Sequence, residues 1–208
     1  MINICVPVLK RYDLLEKLLL SLHESTIQPD TVYVINNGRD VERLKTVLLS
    51  SPCPTRTILP AVPLGLAEAW NIFIRRVPTE RFIVNDDIEF APTSVERMLD
   101  EKACFVSCTF GFSCFLLRDE CVERVGFFDE SISPGYAYFE DRDYLNRMRE
   151  AGVVDSVVDC GVKHAQSQTP AAYTDEETIA HHKKFVIAQE NFLRKWKTLP
   201  SDLERQFA

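Results

Sequence analysis

The chain has 208 residues, 46% of them hydrophobic and 26% charged, which is enough apolar material for a sizeable core and argues against disorder. A net charge of −7 argues against broad nucleic-acid binding, which needs a basic face to neutralise phosphates. A small phosphate ligand stays open, because a bound divalent cation can reverse the local field.

Along the chain, strand and helix signals alternate. Residues Ile2 to Val8 are β-rich, and Leu14, Leu15, Leu18, Leu19 and Leu22 then fall on one helical face. A second strand, Thr31 to Ile35, stops at the turn-forming Asn36-Asn37-Gly38. A helix over Val41 to Leu49 and a strand over Thr55 to Leu59 follow, then an apolar helix over Leu66 to Ile74 and a fourth strand over Arg81 to Val84. This alternation predicts a parallel, doubly wound sheet with ligands at the carboxyl ends of its strands.

Beyond Asp87 the pattern changes. Thr93-Ser94-Val95-Glu96 has the capping-box spacing and predicts a helix ending near Glu101. Strands are expected over Cys104 to Cys108, Phe112 to Leu117 and Val153 to Val158, with helices around Glu120 to Val125 and over Glu140 to Ala151. A long amphipathic helix, Glu176 to Lys197, precedes Pro200. No repeat or low-complexity linker interrupts the pattern. The expectation is a single domain over 1–208, with halves at 1–90 and 91–170 and a helical segment at 171–208.

The seven cysteines are odd in number and form no Cys-x-x-Cys pair, so they read as buried thiols rather than a disulfide framework or zinc site. No apolar run is long enough for a transmembrane segment, and residue 2 opens a strand-like stretch rather than a signal peptide. The expected setting is the cytoplasm or another reducing compartment.

Three features could carry chemistry. At Asn85-Asp86-Asp87, two adjacent carboxylates end a buried strand, and their repulsion is relieved by Mn²⁺ or Mg²⁺, hard cations that also bridge a diphosphate. A solvated turn leading to Thr93 would use the same residues. In Phe139-Glu140-Asp141-Arg142-Asp143, acidic residues either complement a helix N-terminus or include a general base within reach of a hydroxyl. His164 follows a strand and could join the carboxylates as a ligand in a mixed O/N site, or be an ordinary surface or core histidine. Among the loops, Gly65 opens the helix carrying Asn71, and such a helix start can receive phosphate oxygens. The aromatic stretch Ser131 to Phe139 suits either sugar stacking or loop packing.

Taken in order, these segments resemble the GT-A fold of family 2 glycosyltransferases over roughly residues 2 to 170. The resemblance is carried by Ile4-Cys5-Val6-Pro7, Val34-Ile35-Asn36-Asn37-Gly38, Leu64-Gly65 through Asn71, and Asn85-Asp86-Asp87. It continues through Val125-Gly126-Phe127-Phe128-Asp129-Glu130, Glu140-Asp141-Arg142-Asp143 and His164. It implies an α/β, Rossmann-like, mixed and mostly parallel sheet flanked by helices. It further implies an inverting transfer from a nucleotide sugar to a glycan hydroxyl, with the first half binding the donor and the second half serving the acceptor. Pro7, Val8 and Asn36, with Asn37, Gly65 and Asn71, would form the donor side, and Asp86 would lie near the ribose of a UDP-sugar. Asp87 and His164 would hold the Mn²⁺ or Mg²⁺. Asp141 would be the base, with Glu140 and Asp143 positioning it or the acceptor.

Two departures stand out. Asn36 occupies a place where the family often has Asp, and Val8-Leu9-Lys10 replaces the usual Thr-Tyr-Asn. The compact length also resembles the small glycosyltransferase domain encoded by chlorella viruses. Two competing readings are a sugar-nucleotidyltransferase and a non-catalytic nucleotide- or glycan-binding module. The first needs a glycine-rich loop after strand one, where this chain has Lys10-Arg11-Tyr12.

Overall fold

Side-chain alternation along the first strand sets the layering of the molecule. In β1 (Asn3–Val8), Ile4, Val6 and Val8 enter one apolar layer while Cys5 enters the other. The same alternation recurs in β2 (Thr31–Asn36), β4 (Arg81–Val84) and β7 (Gly111–Leu117). Phe82 and Val84 join Ile4, for example, whereas Ile83 joins Cys5. A sheet with two apolar faces must be covered on both sides.

Helices α1 (Tyr12–His23), α2 (Val41–Leu49) and α4 (Ser94–Asp100) cover the first face through residues such as Leu15, Leu18, Leu44, Val47, Val95 and Met98. Helices α3 (Leu66–Arg76), α5 (Asp119–Val125) and α6 (Glu140–Glu150) cover the second. There Trp70 is central: its ring lies 4.7 Å from Phe128 and 5.4 Å, edge-on, from Phe115. The computed structural model of the protein describes residues 1–77, 80–165 and 173–198. The expected boundary at 170 lies outside the described residues.

With β3 (Thr55–Ile58), β6 (Phe105–Cys108) and β8 (Ser156–Val158), the sheet has seven strands in the order β3-β2-β1-β4-β7-β6-β8. Pairing is parallel from β3 to β4 and between β6 and β8, while β7 runs antiparallel to both β4 and β6. This is the mixed, mostly parallel α/β sheet expected from the sequence. The order reverses at β1, so a crevice opens beyond the carboxyl ends of β1 and β4, where doubly wound sheets bind ligands.

Most expected elements are present within a residue or two of their sequence boundaries. Val153 to Asp155, expected as strand, is irregular, and only Ser156–Val158 pairs with β6. The Thr93 capping box does not form: Thr93 makes no side-chain cap, and Glu96 instead accepts from the Thr26 hydroxyl at 3.0 Å. Ser94 takes over the local work, accepting from the Ala91 N–H and donating to the Cys160 carbonyl at 2.7 Å. All seven cysteines are free and buried, as expected.

The C-terminal helix α7 (Asp175–Trp196) is capped by Thr174, whose hydroxyl accepts from the Glu177 N–H while Glu177 accepts from the Thr174 N–H. It docks through Ala188 and Phe192, which pack with Ile132 and Phe139 in a small third cluster. No helix among the described residues is long and apolar enough to cross a membrane.

Candidate functional site

A cavity of about 490 Å³ occupies the crevice at the carboxyl ends of β1 and β4. Its floor is Pro7, Val8 and Leu9 at the end of β1, and Asn85, Asp86 and Asp87 after β4. Asn37, Pro63 and Leu64 form one wall, and Gly135 to Tyr138 form another. His164, Tyr173, His181 and Lys184 close it from the C-terminal side.

A two-stranded ladder invisible to sequence reading assembles its centre. Strands β5 (Ile88–Glu89) and β9 (Lys163–His164) pair antiparallel, with Ile88 opposite His164, and the Ala165 N–H donates to the Asp87 carbonyl at 3.0 Å. This register puts His164 Nε2 3.1 Å from Asp87 Oδ1, with both side chains largely sheltered. The Phe110 ring meets the imidazole edge-on at 5.3 Å. Asp86 is buried, and its carboxyl is pushed up to about 7 by desolvation and by the Asp87 charge, against a hydrogen bond from the Leu9 backbone.

These groups fit a divalent cation. A carboxylate oxygen and an imidazole nitrogen suit Mn²⁺, and their 3.1 Å separation matches adjacent ligands of an octahedral ion, which lie about 3 Å apart at bond lengths near 2.1 Å. Among the described residues no group of three His, Cys, Asp or Glu side chains converges. Two protein ligands leave room for ligand oxygens and water, as in catalytic sites that bridge phosphates.

The expected donor-side residues separate into two groups. Pro7, Val8, Asn37 and Asp86 face the cavity. Asn36 and Asn71 do not: both are buried in internal networks. Asn36 Oδ1 accepts from Tyr12 Oη at 2.6 Å and from the Arg39 N–H at 3.1 Å, which shapes the turn after β2. Asn71 spans from α3 to the Phe128 backbone, accepting and donating at 2.9 Å, and also donates to Glu130 at 2.7 Å.

Asn37 is both lining and brace, since its side chain accepts from the Leu64 N–H at 2.6 Å and donates to the Leu64 carbonyl at 2.8 Å. Gly65 serves close approach: a Cβ there would lie 2.6 Å from the Tyr136 nitrogen. The start of α3 is also occupied internally. The Leu66 N–H donates to the Tyr136 carbonyl and the Gly65 N–H to Glu68, so these two donors, expected to receive phosphate, are already used.

The three carboxylates opening α6 also have different fates. Tyr138 and Phe139, just before the helix, both adopt positive φ, 105° and 67°, a strained turn that ends the cavity wall and aims the helix. Asp143 is fully buried, accepting from Arg147 at 2.9 Å and Trp196 Nε1 at 3.0 Å and pairing with Lys195 at 2.6 Å. It ties α7 to α6 and does not reach the cavity. Glu140 is buried too and accepts from the Ser133 hydroxyl at 3.0 Å. Of the three, Asp141 keeps the open side chain, 38% exposed.

Burial, reinforced by the Asp141 charge, pushes the Glu140 carboxyl from its ordinary 4.5 up to about 7. Between those values the folded chain binds the proton that the unfolded chain has lost, so stability falls as pH rises through the window. The penalty is complete above pH 7 and absent below about 4.5. Glu140→Gln should remove this contribution. In urea titrations the loss of stability from pH 4.5 to 7.5 should be smaller in the variant by an amount on the order of 2 kcal/mol. Equal pH dependence in the two proteins would refute this account of Glu140.

Sequence reading missed the contribution of α7. His181 is gripped by two phenols, Tyr138 Oη on Nε2 at 2.8 Å and Tyr136 Oη on Nδ1, and Tyr173 stacks edge-on at 5.3 Å. A signal existed: the inward stripe Phe192, Ala188 and Phe185, extended one more turn, lands on His181. The Gly-x-Phe-Asp-Glu stretch also acts as a docking element. Burial would push the Asp129 carboxyl up, but Lys195 and Ser131 hold it down to about 2.

Comparison with known proteins bears on this arrangement. Residues 3–103 match the family model described as glycosyl transferase family 2. No curated protein sequence matches the chain. Among solved structures, 99% of the chain aligns with 78% of the mannosyltransferase PcManGT from Pyrobaculum calidifontis, in complex with GDP-Man and Mn²⁺, at a TM-score of 0.65 and 13% identity. Similarly, 97% aligns with 81% of glucosyl-3-phosphoglycerate synthase from Mycobacterium tuberculosis, in complex with Mn²⁺, UDP and glucosyl-3-phosphoglycerate, at 0.65 and 14%. A lower TM-score, 0.56 at 11% identity, relates 88% of the chain to 95% of the inositol-1-phosphate CTP transferase from T. maritima.

Proposed function

We propose that the chain is a family 2-like glycosyltransferase of the GT-A fold that moves a sugar, with inversion, from a nucleotide diphosphate donor to a glycan hydroxyl. The observation that carries the reading is the Asp87–His164 pair on the cavity floor, beside the Pro7-Val8-Leu9 strand end. UDP is the favoured donor nucleotide, as the resemblance to family 2 implies. Solved structures of similar fold that hold UDP with Mn²⁺ or GDP-Man with Mn²⁺ are consistent with a metal-bridged donor.

In this scheme the nucleoside lies against Pro7, Val8 and Asn37, with Asp86 near the ribose. Asp87 and His164 would hold Mn²⁺ or Mg²⁺, which supplies positive charge to the departing diphosphate. Asp141, the exposed carboxylate at the start of α6, takes the proton from the acceptor hydroxyl as its oxygen attacks the anomeric carbon. The bond to the diphosphate oxygen breaks on the opposite face, and that oxygen keeps the electron pair. Glu140 and Asp143 act from inside the fold: through Ser133, Arg147, Lys195 and Trp196 they hold the helix that carries Asp141. Asn36 and Asn71 support the donor side in the same indirect way, by fixing the loops around it.

The nucleotidyltransferase reading is favoured by the likeness to the CTP transferase. Against it, the loop after β1 carries Leu9-Lys10-Arg11 in place of glycines, and Lys10 is engaged by Glu177 at 2.6 Å.

A panel of UDP- and GDP-sugars with Mn²⁺, scored for nucleoside diphosphate release with and without chelator, tests the proposal. Metal-dependent release from at least one donor is expected. Pyrophosphate release from a nucleoside triphosphate and a sugar phosphate would establish the other reading. No binding or turnover of any nucleotide sugar would overturn the proposal.

A further inference from the structure

Charge balance in the cavity points to one more group. A sugar-linked diphosphate carries about two negative charges, rising to about three when the sugar leaves. A divalent cation is already partly offset by the Asp87 carboxylate. A site of this composition requires another positive group where the departing charge grows.

Four basic side chains besides His164 stand near the cavity, and three are discounted. Arg11, which feels the Asp86 and Asp87 carboxylates, is held by both oxygens of Asp13, at 2.9 and 2.6 Å. Lys10 is held by both oxygens of Glu177, at 2.6 and 2.7 Å. His181 has both ring nitrogens taken by tyrosines, and burial together with the His182 charge lowers its pKa and disfavours its charged form. The remaining one is Lys184, a turn after His181 on the same face of α7. Its ammonium lies 4.7 Å from the centre of the Tyr136 ring, at the cavity rim. Among the described residues it has no carboxylate partner.

We propose that Lys184 is a diphosphate-binding residue, so that α7 completes the donor site rather than merely packing beside it. This rests on the donor reading above. The Tyr136 face orients the ammonium, and the Thr174 cap with the Lys10–Glu177 pair holds the helix start in place. A compact ammonium suits the rotating, charge-accumulating oxygens of a leaving phosphate.

Calorimetric binding of UDP, GDP, UMP and uridine to the full chain, with and without Mn²⁺, tests the assignment. Lys184→Met keeps the unbranched stem over Tyr136 and removes the charge, while Lys184→Arg keeps the charge. With the diphosphate that wild type prefers, Lys184→Met should weaken binding about tenfold or more. The loss should be smaller for UMP and absent for uridine, and Lys184→Arg should recover most of it. Unchanged thermal unfolding of the variants excludes a trivial loss of α7. If wild type binds diphosphate and Lys184→Met binds it equally well, this inference fails while the donor reading stands; an effect on acceptor KM alone has the same meaning. If wild type binds neither UDP nor GDP, the donor reading fails and Lys184 with it.

Discussion

Asp87→Ala is expected to lower kcat/KM for glycosyl transfer by roughly 10²- to 10³-fold, the cost of removing one preorganised charge-stabilising element from an active site. The ladder of β5 and β9 holds His164 3.1 Å from the Asp87 carboxylate. Alanine leaves His164 alone on that side, and a single imidazole is a weak hold for Mn²⁺, which prefers oxygen ligands. Activity should therefore become insensitive to Mn²⁺ concentration, and Mn²⁺ binding measured by calorimetry should weaken in parallel. Asp87 also raises the Asp86 carboxyl, so the variant should relieve that repulsion, and the ligand-free fold should not be weakened appreciably. His164→Ala should act in the same direction with a smaller effect. Wild-type turnover and metal response in Asp87→Ala would rule out the metal bridge.

A different kind of loss is expected from Asp143→Ala. The carboxylate is fully buried and satisfies Arg147, Lys195 and Trp196 at once. Removing it strands the Arg147 guanidinium and an indole N–H, while Lys195 keeps its pair with Asp129 at 2.7 Å; broken pairs of this sort cost about 3–5 kcal/mol. The lower end applies, since Lys195 is 33% exposed and regains some hydration. For a chain of this size that corresponds to a fall in Tm of about 10 °C. Asp143→Asn, which retains one acceptor for Trp196, should lose less. A Tm within about 2 °C of wild type for Asp143→Ala would show that these contacts add no net stability. The two expected losses differ in kind: Asp87→Ala should change metal response and turnover, and Asp143→Ala the docking of α7.

Both residues stand in acidic runs that look alike in the sequence. Asn85-Asp86-Asp87 was legible as a candidate site because it ends a fully apolar strand, Phe82 to Val84, in a region of β-α alternation. Glu140-Asp141-Arg142-Asp143 was legible as a helix start with acidic residues. Which acid faces the solvent was not, because burial of Glu140 and Asp143 depends on Ser133 and on Lys195 and Trp196 from distant parts of the chain. Asn36 and Asn71 show the same limit. A polar residue at a strand end or on an apolar helix reads as a ligand contact, whereas both are consumed by internal hydrogen bonds. Polar side chains in a core must find partners, and the sequence does not say whether the partner is a ligand or another segment.

By itself the sequence determined the elements, their order and the two-sided core. Periods of two and about 3.6 are local properties, written in Ile4-Cys5-Val6 and in Leu14 to Leu22 as plainly as in the folded chain. It also determined where the Asp86-Asp87 turn would fall, at the carboxyl end of β4. The family resemblance places Asp87 and His164 on one metal; the ladder that brings them into contact, the seating of His181 and Lys184 on the same cavity and the burial of Asp143 come from the folded chain. Those outcomes depend on the register of a two-residue ladder and on the docking of one helix through Ala188 and Phe192. Each is set by the sum of contacts across the fold, and apart from the helical stripe that ends on His181 no local pattern in the chain announces it.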